Sequence, residues 1–189
     1  MKKSSYLLIL FMVVIFSGCD MFVKDKNGNE SDQSYTSKKV ISNEVVLTDV
    51  ATGEKITITK EGKKKFDFGK YDDKIVLVNF FATWCPPCKA EIPHLVNLQN
   101  RYRDNFVIIS VLLEDAKDTE EVKSFMNYYE VNYIVTNSPA NFDLEKLIGG
   151  VSSIPYMVMF DKNGEFVIDY KGAVPEEMIE ADIKKAMEN

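Results

Sequence analysis

Residues 75–82 are apolar or aromatic at every position except Asn79. A strand without a polar face needs cover on both sides, so this run belongs in the middle of a sheet with other elements packed above and below it. Three residues beyond it stands Cys85-Pro86-Pro87-Cys88. Consecutive prolines cannot extend the strand, but they suit the first turn of a helix, where an N–H has no intrahelical partner to lose. The pattern predicts a helix over 86–103 with a thiol at its mouth. Strand, tight turn and helix fix the centre of the fold, and the rest of the chain has to be arranged around that unit.

Residues 45–48 and 56–59, around the turn Ala51-Thr52-Gly53, predict a β-hairpin. Residues 62–73 are lysine-rich and read as a loop, with Asp67, Asp72 and Asp73 offsetting Lys63, Lys64 and Lys65. A second buried strand is expected over 106–113. Asp118-Thr119-Glu120-Glu121 resembles a capping box opening a helix to about Tyr129. Residues 133–136 predict a short strand, and Asn141 a cap on a helix that stops at Gly149-Gly150. Strands at 156–160 and 165–170 flank the hairpin signal Asp161-Lys162-Asn163-Gly164. Pro175 then opens a terminal helix with Ile179, Ile183 and Ala186 on one face. The alternation predicts an α/β fold over residues 44–189, a central mixed β-sheet flanked by helices, with an N-terminal β-hairpin and no internal repeat.

The start of the chain reads as an address rather than as structure. Lys2 and Lys3 precede an apolar run over 6–16, too short for a membrane-spanning helix, and then Ser17-Gly18-Cys19. Residues 1–18 therefore read as a secretory signal. Ser17-Gly18-Cys19 resembles the lipobox of bacterial lipoproteins, with Phe16 where that box usually has Leu; the resemblance implies cleavage before Cys19 and lipid on that cysteine. An ordinary secretory signal cut elsewhere is the alternative. Residues 24–39 lack any aliphatic side chain, so 19–43 reads as a flexible tether spanning roughly 25–30 Å. Loss of Lys2 and Lys3 takes the formal charge from −6 to −8. Such an acidic chain argues against a nucleic-acid partner, and the expected location is the extracytoplasmic face of a bacterial envelope membrane, where disulfides persist.

With Cys19 lipidated, two of the three cysteines remain, Cys85 and Cys88. If Cys85 takes the N-cap, its sulfur sits where a capping oxygen accepts backbone N–H groups, and the helix dipole favours a thiolate there. Lowering a thiol pKa from about 8.5 to about 7 raises the thiolate fraction at neutral pH from about 3% to about 50%, for roughly 2 kcal/mol. Cys88, one turn on, is shielded and placed to attack a mixed disulfide. One exposed nucleophile and one resolving thiol are the minimum for thiol–disulfide exchange. Three other readings stand beside it. A structural disulfide closing so short a loop contributes about 2 kcal/mol before strain. A zinc site would have Cys85, Cys88 and His94 and lack a fourth ligand. Two unreactive core thiols fit poorly with a Pro-Pro spacer at a helix mouth.

The stretch from Asn79 through Trp84-Cys85-Pro86-Pro87-Cys88 to Glu91 and Pro93 resembles the thioredoxin superfamily, in particular its TlpA/ResA-like envelope branch. Gly150-Val151-Ser152-Ser153-Ile154-Pro155, followed by Asp161-Lys162-Asn163-Gly164, is a second match, and the similarity covers roughly residues 45–187. It implies a thioredoxin-like fold, with the helix and strand between Asp118 and Thr136 as the branch's central insertion. It also implies thiol–disulfide oxidoreductase activity without a cofactor or metal, often reductive and often serving cytochrome c maturation. Pro155 matches the family's cis-proline, and Ile154 before it would offer its backbone to an extended substrate; the plain role for Ile154 is packing. Asn79 stands where thioredoxin has a buried acid, and an amide cannot take over proton transfer. Glu91, on the helix face of Cys88, is then the candidate for deprotonating Cys88, against a plain solvated glutamate. Trp84 is a candidate flat substrate contact packed beside the sulfurs, with a core or a rim role as the alternative; Pro93 is a helix kink, and His94 a surface residue rather than a proton relay.

The prolines also bear on the direction of electron flow. Neither Pro86 nor Pro87 can donate an N–H to the Cys85 sulfur, so its thiolate is less stabilised and the dithiol gives up electrons more readily. The expected function is a membrane-anchored reductase of protein disulfides, apocytochrome c among them, recharged by an integral-membrane thiol carrier. The alternatives are an oxidase or isomerase of secreted proteins, and a non-catalytic lipoprotein binding module on the same scaffold.

Overall fold

Along the described residues, 42–115 and 117–188 of a computed structural model, the elements run in chain order. A small sheet comes first: β1 (Glu44–Thr48), β2 (Lys55–Lys60) and β3 (Phe66–Asp67), then a 3-10 turn, Gly69–Tyr71. There follow β4 (Ile75–Phe81), α1 (Pro86–Tyr102), β5 (Phe106–Leu112), α2 (Thr119–Tyr128) and β6 (Ile134–Thr136). The chain closes with α3 (Ala140–Ile148), β7 (Tyr156–Phe160), β8 (Phe166–Lys171) and α4 (Glu176–Met187). The signal segment, Cys19 and residues 19–41 of the expected tether lie outside the described residues.

β4 is the middle strand of a five-stranded sheet ordered β6-β5-β4-β7-β8. It runs parallel to β5, which runs parallel to β6, and antiparallel to β7. The mixed sheet has the thioredoxin-like arrangement. All seven residues of β4 are buried, as are all seven of β5. Alternation along them sends Ile75, Leu77 and Phe81 to one face with Leu95 and Leu98 of α1 and Ile179 and Ile183 of α4. Val76, Val78 and Phe80 go to the other, with Leu144 and Leu147 of α3 and the β1–β3 sheet. Each such side chain taken from water contributes about 1.5–3 kcal/mol, so the strand that leads to the cysteines is firmly anchored on both faces.

Residues 62–73 are not simply a loop. Phe66 and Phe68 are buried against Phe160, with ring centroids 5.2 and 5.1 Å from it, and β3 pairs with β2, which enlarges the hairpin to three strands. The lysines conceal this, because the two phenylalanines alone carry the burial. The acids also work differently from expectation: Lys65 pairs with Glu61 at 3.2 Å, while the Asp67 and Asp72 carboxylates accept from Gly69 N–H and Phe68 N–H. Phe66 N–H donates to the carbonyl of Gly164, which has φ 72°, and a Cβ at Gly164 would lie 1.8 Å from the Phe66 carbonyl oxygen. That position admits only glycine.

Three helix starts differ in detail. Asn141 does not cap α3; Pro139 stands at the N-cap, and Asn141 lies inside the helix with no exposed surface. Its Nδ2 donates to the carbonyls of Leu112 and Thr136 at 2.9 and 2.8 Å, and its Oδ1 accepts from Thr136 Oγ1. It fastens α3 to the ends of β5 and β6. Asp118 caps α2 through Glu120 N–H and Glu121 N–H, but the Glu121 carboxylate is drawn to Lys117 Nζ at 2.8 Å. Pro175 is the N-cap of α4 rather than its first helical residue.

Candidate active site

The chain leaves β4 at Phe81, turns through Ala82-Thr83-Trp84 and enters α1 with Cys85 at the N-cap. Cys85 and Cys88 are joined in a disulfide. Cys88 N–H donates to Cys85 Sγ at 3.3 Å, the contact left to the sulfur once both spacer residues are proline. The expectation of an exposed Cys85 is not met in this bonded form: Cys85 is 2% and Cys88 4% accessible. The two sulfurs cover one another and join Phe81 and Ala82 in the core layer, with Ile154 packed against that layer. Trp84 beside them is 65% exposed and stands at the rim.

The second wall comes from far along the chain. The Ile154–Pro155 bond is cis. Pro155 precedes β7, and the pairing of Phe80 with Tyr156 sets it beside Phe81, the last residue before the cysteine turn. Pro155 is buried and Ile154 half-buried. The register of two strands thus brings Trp84, Cys85, Cys88, Ile154 and Pro155 to one edge of the sheet.

Glu91 lies one turn after Cys88 on α1 and is 3% accessible, so it is not a solvated glutamate. Its Oε1 accepts from Val174 N–H at 3.1 Å, in the segment between β8 and α4. Its Oε2 is buried without a partner among the described residues. Burial pushes the Glu91 carboxyl up to about 7, and the Val174 bond opposes this only in part. A carboxyl that titrates near neutrality can both hold and release a proton at working pH. Asn79 is buried on the same side of the sheet and donates through Nδ2 to Ser110 Oγ at 3.1 Å. His94 is on the outer side of α1, 47% exposed, with Nδ1 3.2 Å from Glu176 Oε2. α1 continues through Pro93.

Two contributors escaped the sequence reading. Glu114, just past β5, accepts the Thr83 N–H and so holds the turn that delivers Cys85. Its signal was its place: residues following adjacent parallel strands share one rim. Val174, which holds Glu91, carries no local signal, because its contribution is a backbone N–H.

A bonded Cys-x-x-Cys at the helix that follows the central strand, with a cis-proline beside it, defines a thiol–disulfide exchange protein on a thioredoxin-like scaffold. The Redoxin family profile matches residues 30–187. Thiol-disulfide oxidoreductase ResA of Bacillus thuringiensis is 31% identical over 188 residues, covering 98% of each chain. ResA of Bacillus cereus is 29% identical over 186 residues, again 98% of each. A solved thiol:disulfide interchange protein of the thioredoxin family from Chlorobium tepidum superposes with a TM-score of 0.59 at 26% identity, over 77% of this chain and 94% of that one. The chain belongs to the Redoxin family and, within it, is a thiol–disulfide oxidoreductase of the ResA type.

Proposed function

We propose that this oxidoreductase works as a reductase of protein disulfides, held by lipid on Cys19 at the extracytoplasmic face of a bacterial membrane. In the reduced form the Cys85 thiolate attacks a client disulfide, forming a Cys85–client bond and expelling one client thiolate. Glu91 takes the Cys88 proton. The Cys88 thiolate then attacks Cys85 Sγ, the Cys85–Cys88 bond forms, and the second client thiolate leaves. Two electrons pass from the dithiol to the client. Trp84 offers the client a flat surface, and Ile154 beside Pro155 offers its backbone to an extended client segment. An external dithiol, such as an integral-membrane thiol carrier, restores the reduced form, and apocytochrome c is a client of fitting chemistry.

The observation that carries the direction is the donor set at Cys85: two prolines supply no N–H, and the Cys88 N–H is the one spacer-end donor at the sulfur. A poorly stabilised thiolate makes a ready electron donor. Equilibrating the protein with glutathione or dithiothreitol buffers tests this. The expected potential lies toward the thioredoxin value of about −270 mV; one near −120 mV, typical of a strong oxidant, would reverse the assignment. Cys88→Ser should stall the mixed disulfide on Cys85 and allow clients to be identified.

A further inference from the structure

Between β8 and α4 the chain runs as a short strap that touches three parts of the site in turn. Exposure alternates along it: Lys171, Ala173 and Pro175 are exposed, while Gly172, Val174 and Glu176 are partly covered. A period of two belongs to extended backbone, so one edge of the strap faces the protein. Gly172 N–H donates to the carbonyl of Pro155, the cis-proline, at 2.9 Å. Val174 N–H donates to Glu91 Oε1 at 3.1 Å. Glu176, the first residue of α4, accepts at Oε2 from His94 Nδ1 at 3.2 Å and Asn97 Nδ2 at 3.1 Å, and at Oε1 from Arg101 at 3.2 Å.

Glu91, His94, Asn97 and Arg101 follow one another at three- or four-residue steps and so form one stripe along α1. The strap lies on that stripe, and Glu176, with a side chain only 15% exposed, fastens its end. Val174 is only partly packed against the core layer. The aim of its N–H at Glu91 therefore depends on the fixed points on either side, Gly172 and Glu176. The rest of α4 is secured separately: Ile179 and Ile183 are buried, and Glu180 holds Arg101 and Tyr102 at 2.9 and 2.7 Å. Other titratable groups on the same layer do not replace the Val174 donor. Tyr133 and Tyr170 are phenols that burial keeps protonated, Tyr170 donating to Asp182 at 2.6 Å, and Cys85 and Cys88 are bonded to each other.

We propose that Glu176 is a positioning residue for the exchange reaction: its carboxylate pins the strap to α1 and so keeps Val174 N–H on Glu91, which favours the ionised Glu91 that takes the Cys88 proton. This rests on the reading of Glu91 as the base for Cys88. The same strap ends the wall that carries Pro155, so one segment of backbone sets both the cis-proline carbonyl and the base.

The test uses the intact chain, reduced and carrying carbon-13 in Glu, so that Glu91 Cδ reports its own midpoint apart from His94. Glu176→Ala removes the fastening, and a carboxylate that loses its N–H donor titrates higher. The expected rise is about 0.5–1 pH unit, a three- to tenfold loss of ionised Glu91 below its midpoint. Removing a negative charge alone acts the other way and lowers a nearby carboxyl, so the sign separates fastening from charge. Glu176→Gln keeps an acceptor for Arg101 and an amide for His94, and should restore the parent midpoint. Asn97→Ala, an exposed and neutral change that removes one donor, should raise the midpoint by about 0.3 unit, add little to Glu176→Ala, and serve where Glu176→Ala does not fold.

Exchange is read with dithiobis(nitrobenzoate), which releases one aryl thiolate as Cys85 attacks and a second as Cys88 attacks Cys85 Sγ. In Glu176→Ala the second release should slow by about three- to tenfold below the Glu91 midpoint and recover at high pH, with the first changed less than about twofold. An unmoved or lowered midpoint in Glu176→Ala or Asn97→Ala overturns the proposal, and so does equal slowing of both releases at every pH, the mark of a merely structural role. Failure of the underlying reading looks different: Glu91→Gln would give the parent's second release at every pH. That result removes Glu176 from the reaction even where the Glu91 midpoint moves.

Discussion

At Glu91 the two oxygens of one carboxyl have different surroundings: Oε1 is held by Val174 N–H, and Oε2 is buried without a partner among the described residues. The folded protein therefore prefers the protonated form, with the carboxyl raised from 4.5 to about 7. The unfolded chain releases this proton first, so the associated stability is complete below about pH 4.5 and is lost as pH rises through about 7. After allowance for solvent contact the loss amounts to about 2 kcal/mol. Urea unfolding of the oxidised protein across that window should show the decline, and Glu91→Gln should flatten it; an equal decline in the variant would place the titrating group elsewhere. Glu91 was visible in the sequence because its spacing from Cys88 is helical. Its burial was not, since Val174 reaches it from the segment before α4. The concealment of Cys85 was illegible for the same reason, the cover being the paired sulfur and a core layer reached by Ile154 from another loop.

Elements with a period in their side chains were readable and those joined by single polar residues were not. The largely apolar β4 and β5, each broken by one polar residue, and the capped α2 follow directly from the sequence. β3 did not, since a two-residue strand has no period and only the company of Phe160 reveals it. Asn141 has the composition of a cap, yet it is used as a bracket between α3 and the ends of β5 and β6, a role that exists only once those ends converge. Asn141→Ala leaves two buried carbonyls without donors and opens a small void. The expected cost is about 2–4 kcal/mol, read as a lower denaturation midpoint with an unchanged denaturant slope. A loss under about 1 kcal/mol would mean that the bracket adds little to what packing already secures.

For the whole molecule, the folded part and its thiol pair were legible because the motif and its strand–turn–helix setting agree, and the ResA-type relatives match along nearly the full chain. The anchor proposed on Cys19 is separable from the chemistry. Cys19→Ser should move the protein from the membrane fraction to the soluble fraction and leave the reduction potential of the Cys85–Cys88 pair unchanged. Protein that stays membrane-bound after this change would show that something other than lipid on Cys19 retains it. The near-complete burial of both bonded sulfurs carries a consequence for how the pair meets other thiols. An oxidised molecule presents almost no sulfur to a passing small thiol, so such thiols recharge it slowly and reach equilibrium only on long exposure. A visitor broad enough to settle on the Trp84 rim and pry toward the helix mouth trades faster, which leaves admission, alongside voltage, to choose the trading partners.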